Sequence, residues 1–192
     1  MSDDPSYSYK PALIGAPSEF RLTPAGLAWS IGRRSGVIRY ERIGRVRLSF
    51  RPVTMQSHRF TTEIWSSDAQ KIQIASTSWR TIVDQQRQDG AYGAFIAELH
   101  RRLAATGSGA AFVTGLPIVQ YGLGVVVLAA MIVAFVMIMV RALQNGQMSG
   151  AAIVAGIFAL FGWQVGQYFL RNRPGTYRPD ALPAVVLPRE ER

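Results

Sequence analysis

The chain has no cysteine. Disulfides, thiolate nucleophiles and cysteine-ligated zinc or iron–sulfur centres are therefore excluded, and the redox compartment stays open. Lysine is almost missing too: Lys10 and Lys71 are the only two among 21 basic residues. The positive charge is thus carried by arginine, which stays ionised and binds phosphate bidentately. That bias suits anionic lipid headgroups, and a GC-rich genome produces it as well. Histidine is confined to His58 and His100, 42 residues apart and without a clear carboxylate partner, a weak basis for a metal site. His100 falls on a helix flank beside Leu99 and Leu103 and reads as a surface residue. No G-x-G-x-x-G, P-loop, H-E-x-x-H or G-x-S-x-G pattern is present. Gly107-Ser108-Gly109 has Phe112 where a dinucleotide loop needs its last glycine, and it reads as linker. The expectation is a non-enzyme without cofactor or metal.

Charge is absent from two long stretches. Ile118–Val140 runs for 23 residues with Gln120 as its one polar member, and Ala151–Leu170 runs for 20 with Gln164, Gln167 and Tyr168. About 20 residues at 1.5 Å each cross the ~30 Å hydrocarbon core. Residues 141–150 form the connecting loop of a transmembrane hairpin. No Asp, Glu, Lys, Arg or His lies inside either span, which argues against a proton relay or an ion pathway. Gly162 and Gly166 form a G-x-x-x-G spacing, with Ala152 and Gly156 nearer the loop. Such spacing lets helix backbones approach closely, and Gln164 and Gln167 can hydrogen-bond across an interface. Gln120 lies at a matching depth. Packing within the hairpin, self-association and contact with a partner membrane protein all use these residues.

The first ten residues lack the basic and apolar regions of a signal peptide. Arg101, Arg102, Arg171, Arg173 and Arg178 flank the spans on one side, against Arg141 alone in the loop. The positive-inside rule then puts both termini in the cytoplasm, with the short hairpin loop on the other side of the membrane.

Residues 1–18 carry Pro5, Pro11, Pro17 and Gly15 and read as a flexible arm. From Glu19 to about Gln86 the period is two. Leu27, Trp29 and Ile31 alternate, as do Val46, Leu48 and Phe50 against Arg45, Arg47, Ser49 and Arg51. Six or seven short strands with close turns predict an antiparallel sandwich or barrel. The period then changes to helical: Tyr92, Phe95, Ile96, Leu99 and Leu103 share one face, with Asp89 as N-cap. The fold class is α+β, a β-domain over 19–104 closed by one helix. A small, flexible linker follows over 105–117. The tail 171–192, with Pro174, Pro179, Pro183 and Pro188, is irregular. Its Tyr177 and apolar residues offer a segment for docking, or for adding a strand to an open edge.

Arg33, Arg34, Arg39, Arg42, Arg45, Arg47 and Arg51 fall within 19 residues. They form either a surface for lipid or partner, or an ordinary solvated strand face with Glu41 and Glu63 as neutralisers. Nucleic-acid binding usually wants base-stacking aromatics or a recognition helix beside such arginines; Tyr40 and Phe50 fall among them, but Phe50 lies on the apolar parity, so nucleic acid is not an expected ligand.

Gly26-Leu27-Ala28-Trp29, Val37-Ile38-Arg39-Tyr40 and Ile43-Gly44-Arg45-Val46-Arg47-Leu48, followed by the closing helix, resemble the bacterial pleckstrin-homology-like domains. The stretch from Asn172 to Pro183 resembles the tail of small alphaproteobacterial membrane proteins of unassigned activity. The resemblance covers about 19–104 and rests on packing motifs, so it implies a fold and little about a ligand. Together these features predict a membrane-anchored binding or scaffold protein, with membrane lipid, a protein partner or a second copy as ligand. The alternative is an accessory subunit assembled into a larger complex through its hairpin.

Overall fold

The computed structural model describes residues 4–52, 58–68, 70–81, 85–183 and 187–188, with backbone alone at 52 and 58. It divides into two units, residues 1–115 with 175–192, and residues 116–174.

In the first unit, β1 (Ser6–Tyr9), β2 (Ser18–Thr23), β3 (Gly26–Ile31) and β4 (Arg34–Ile38) form a four-stranded antiparallel meander in that order. A single 3-10 turn, Tyr40–Arg42, leads into the second sheet. There β5 (Ile43–Pro52), β6 (His58–Ser66) and β7 (Lys71–Ala75) pair antiparallel. A separate small ladder joins β8 (Thr77–Trp79) to β9 (Gln85–Arg87). Helix α1 runs over Asp89–Ala105.

Alternation decides which side chains enter the core. Phe20, Leu22, Leu27 and Trp29 from the first sheet and Val46, Leu48, Phe50, Ile64, Ile72 and Ile74 from the second are buried. So are Tyr92, Phe95, Ile96, Leu99 and Leu103 along the inner stripe of α1. Each such side chain contributes about 1.5–3 kcal/mol on leaving water. The Tyr92 hydroxyl meets Thr62 Oγ1 at 2.6 Å inside this core. Arg102 ties α1 to the first sheet, donating to the Leu22 carbonyl at 2.9 Å and to Glu98 at 2.8 Å. Arg101 and Arg102 together hold the Glu98 carboxyl down at about 2.

Two segments depart from the sequence reading, and a third takes up an option that reading left open. The arm expected to be flexible contains β1, whose Tyr7 and Tyr9 are buried and stack toward Phe95 and Phe20. The linker contains β10 (Ala111–Thr114), which lies parallel to β5. The tail returns as β11 (Gly175–Thr176), antiparallel to β10. The second sheet therefore runs β11-β10-β5-β6-β7. Among the described residues no ladder joins the two main sheets into a closed barrel. Asp89 begins α1 instead of capping it, and its carboxylate receives Arg87.

The second unit holds α2 (Ile118–Gln144) and α3 (Met148–Arg171), joined through Asn145-Gly146-Gln147. Both helices are long and apolar enough to cross a membrane. Among the described residues, every exposed large apolar side chain except Leu13, Ile14 and Val37 lies on these two helices. Water does not tolerate so continuous an apolar surface, whereas acyl chains do.

Candidate binding surface

Strand β5 sends Val46, Leu48 and Phe50 inward and turns Arg45, Arg47 and Arg51 to the other face. Pairing sets residues of three strands in rows across that face. Arg45, Trp65 and Lys71 form one row, and Arg47, Glu63 and Gln73 the next. Trp65 is half-buried at the centre. The guanidinium carbons of Arg45 and Arg47 lie 5.9 and 5.1 Å from its ring centroid, and Lys71 Nζ lies 5.1 Å away. Cations over an indole face gain roughly 0.5–1 kcal/mol each when exposed. Beneath them Glu63, only 7 % exposed, pairs with Lys71 at 2.7 Å and more loosely with Arg47 at 3.8 Å. Two of the three cations thus share one buried carboxylate while Arg45 contacts only the ring, and the patch keeps a surplus of positive charge.

The seven arginines do not form one patch. Arg45 and Arg47 belong to the Trp65 cluster. Arg51 lies on the same strand beyond the buried Ser49/Thr61 row. Arg42 pairs with Asp68 at 3.0 Å in the turn between β6 and β7. Arg33, Arg34 and Arg39 belong to the first sheet, around β4, and are exposed. Trp65 and Lys71 complete the cluster, although nothing in their local sequence marks them. Their membership follows from register alone.

His100 is a second correction. It is fully buried, packed between Phe112 and Tyr177 at ring distances of 5.6 and 5.7 Å. Its Nδ1–H donates to the Ile96 carbonyl at 2.7 Å, and the Tyr177 hydroxyl donates to Nε2 at 2.8 Å. Burial presses its pKa down to about 4. It is therefore neutral at physiological pH and fastens the returning tail to α1 and β10. His58 opens β6, and its side chain lies outside the described residues. No group of three metal-binding side chains occurs among the described residues.

In the hairpin, Phe135 and Phe158 stack at 3.8 Å, and Tyr121 meets Phe169 edge-on. Gly124 makes room for Phe169: a Cβ there would lie 2.7 Å from its Cζ. Gly162 and Gly166 have no atom within 4 Å of a Cβ position. Gln120 and Gln164 are exposed, and no hydrogen bond joins them or Gln167 across the hairpin. The helices thus pack through the Tyr121 and Phe169 rings beside Gly124 and separately through Phe135 and Phe158, and the G-x-x-x-G face is left over.

No protein-family model matches this chain, and no curated protein or solved structure matches it.

Proposed function

We propose that this chain is a membrane-anchored, non-catalytic binding protein of the bacterial inner membrane, with both termini cytoplasmic. In this reading the hairpin anchors a pleckstrin-homology-like domain, and the Trp65 cluster takes an anionic ligand, foremost the headgroups of acidic phospholipids. The observation that carries it is the convergence of Arg45, Arg47 and Lys71 on a half-buried tryptophan over a single buried carboxylate. Near an anionic leaflet each such cation adds about 1 kcal/mol of attraction. The succession of meander, second meander and closing helix supports the domain assignment. Three residues connect β10 to α2 and three connect α3 to β11, so a headgroup ligand would be met at high local concentration.

The test compares the full chain in nanodiscs with and without brominated phosphatidylglycerol. The expected result is quenching of Trp65 fluorescence, read as the difference from Trp65→Phe and abolished by Arg45→Glu. Equal quenching in the variant, or none in the wild type, refutes the lipid reading. Arg45 is preferred to Arg47 for reversal because Arg47 faces the buried Glu63.

A second reading, an accessory subunit of a larger membrane complex, is favoured by the unused helix face at Gly162, Gly166 and Gln164.

A further inference from the structure

The margins of the two main sheets are treated unequally. On the second sheet, β10 and β11 extend the β5 side. On its other side the Gln73 and Ala75 carbonyls accept the hydroxyls of Tyr9 and Tyr7 at 2.8 and 2.6 Å. Burial pushes Tyr9 up to about 12 and Tyr7 higher still, so both remain protonated donors. On the first sheet, the β1 side is engaged at Lys10, whose N–H donates to Ser78 Oγ and whose carbonyl accepts from Trp79. The β7 and β1 margins are thus engaged by the chain itself, and the β5 side is covered as far as the two-residue β11.

The fourth margin is β4. Ile31 and Arg34 face each other across the loop Gly32-Arg33, with Gly32 at φ +62°. In a two-residue hairpin this closing pair is hydrogen-bonded, and bonding then alternates. Trp29/Gly36 and Leu27/Ile38 are therefore the bonded pairs, and Ser35 and Val37 turn their N–H and C=O groups outward. Among the described residues no backbone hydrogen bond reaches those groups. The β4 register is regular, the strand has no proline, and Val37 next to its centre is 57 % exposed. Arg33, Arg34 and Arg39 flank it, exposed and without an ion-pair partner among the described residues.

We propose that β4 is an interaction edge that accepts an extended acidic segment of a partner protein as an added strand. Ser35 and Val37 would supply the backbone ladder, Val37 would meet a β-branched side chain, and the three arginines would meet flanking carboxylates. Charge selects this occupant over a second copy. Antiparallel self-pairing about Gly36 sets Arg33 against Arg39 of the other chain, and in other registers three arginines of each copy still meet a margin whose one flanking acid is Glu41, a net like-charge encounter that disfavours the ladder. The surface is separate from the Trp65 cluster, so the two proposals stand or fall independently.

The experiment selects binders from a random-peptide phage library on the full chain in nanodiscs of neutral lipid. The expected peptides carry Asp or Glu on both sides of a β-branched centre. Adding one slows amide exchange at Ser35 and Val37. Val37→Pro removes an outward N–H and abolishes binding. Arg34→Glu with Arg39→Glu leaves the backbone edge intact and weakens the same peptide by about tenfold or more. The proposal is overturned if the selected peptides lack acidic residues, if protection falls outside β4, or if both variants bind as the wild type does. Protection of β4 by phosphatidylglycerol nanodiscs in place of peptide overturns it as well.

Discussion

Acid should loosen the β-domain through one histidine. Native His100 is sealed between Phe112 and Tyr177 and holds its pKa at about 4, against 6.5 for the unperturbed group. Above pH 6.5 it is neutral in both native and unfolded chains and contributes no pH dependence. As the pH falls below 6.5, the unfolded chain takes up a proton that the native one refuses, so stability declines. The decline ends near pH 4, where the native form protonates too. The limiting slope is about 1.4 kcal/mol per pH unit, so the step from pH 6.5 to about 4.5 costs about 2–3 kcal/mol. Glu98 acts in a different window. Held at about 2 by Arg101 and Arg102, it supports the fold fully above 4.5 and loses that support only below. The assay is urea unfolding of the full chain in micelles, followed by near-UV circular dichroism at pH values stepped from about 7 to about 4.5. His100→Gln retains a polar group that does not titrate, and its slope should be shallower by the whole His100 contribution. Equal slopes in the two proteins would show that His100 is neither sealed nor neutral, and the tail contact drawn around it would be wrong.

Two further outcomes follow from packing. Tyr92→Phe strands Thr62 Oγ1 in the core and should lower the unfolding free energy by about 1–3 kcal/mol in the same urea assay, with α1 still helical. Gly124→Leu drives a side chain into Phe169 and should lower the melting temperature of the hairpin in micelles, whereas Gly162→Leu should leave it within about 0.5 kcal/mol of wild type. If Gly162→Leu instead dissociates a co-purifying complex while the hairpin stays intact, the accessory-subunit reading gains.

The returning tail changes how the chain is divided. Its docking consists of a two-residue ladder, the Tyr177 side chain, and Leu182 and Leu187 packed against the core. It makes residues 175–183 part of the β-domain, and the hairpin an insertion between two neighbouring strands of one sheet. Both ends of the hairpin consequently lead into the same domain.

What the sequence determined alone is whatever depends on composition and local period. The missing cysteines and the two uncharged stretches required nothing beyond counting. Period two along Val46, Leu48 and Phe50 identified the buried parity of β5, and period 3.6 from Tyr92 to Leu103 identified the inner stripe of α1. These segments are long enough for a repeating pattern to declare itself. Tertiary structure decided the rest. Four residues in β1, four in β10 and two in β11 are too short for a period to identify them, although Ser6–Tyr9 does alternate, and they are strands because distant partners offer them open backbone groups. His100 is interior because a tyrosine 77 positions later covers it, a contact no local window contains. The arginines illustrate the same division. Their crowding is plain in the sequence, but register across β5, β6 and β7 gives two of them to Trp65, while sheet membership leaves three others along the open edge of β4.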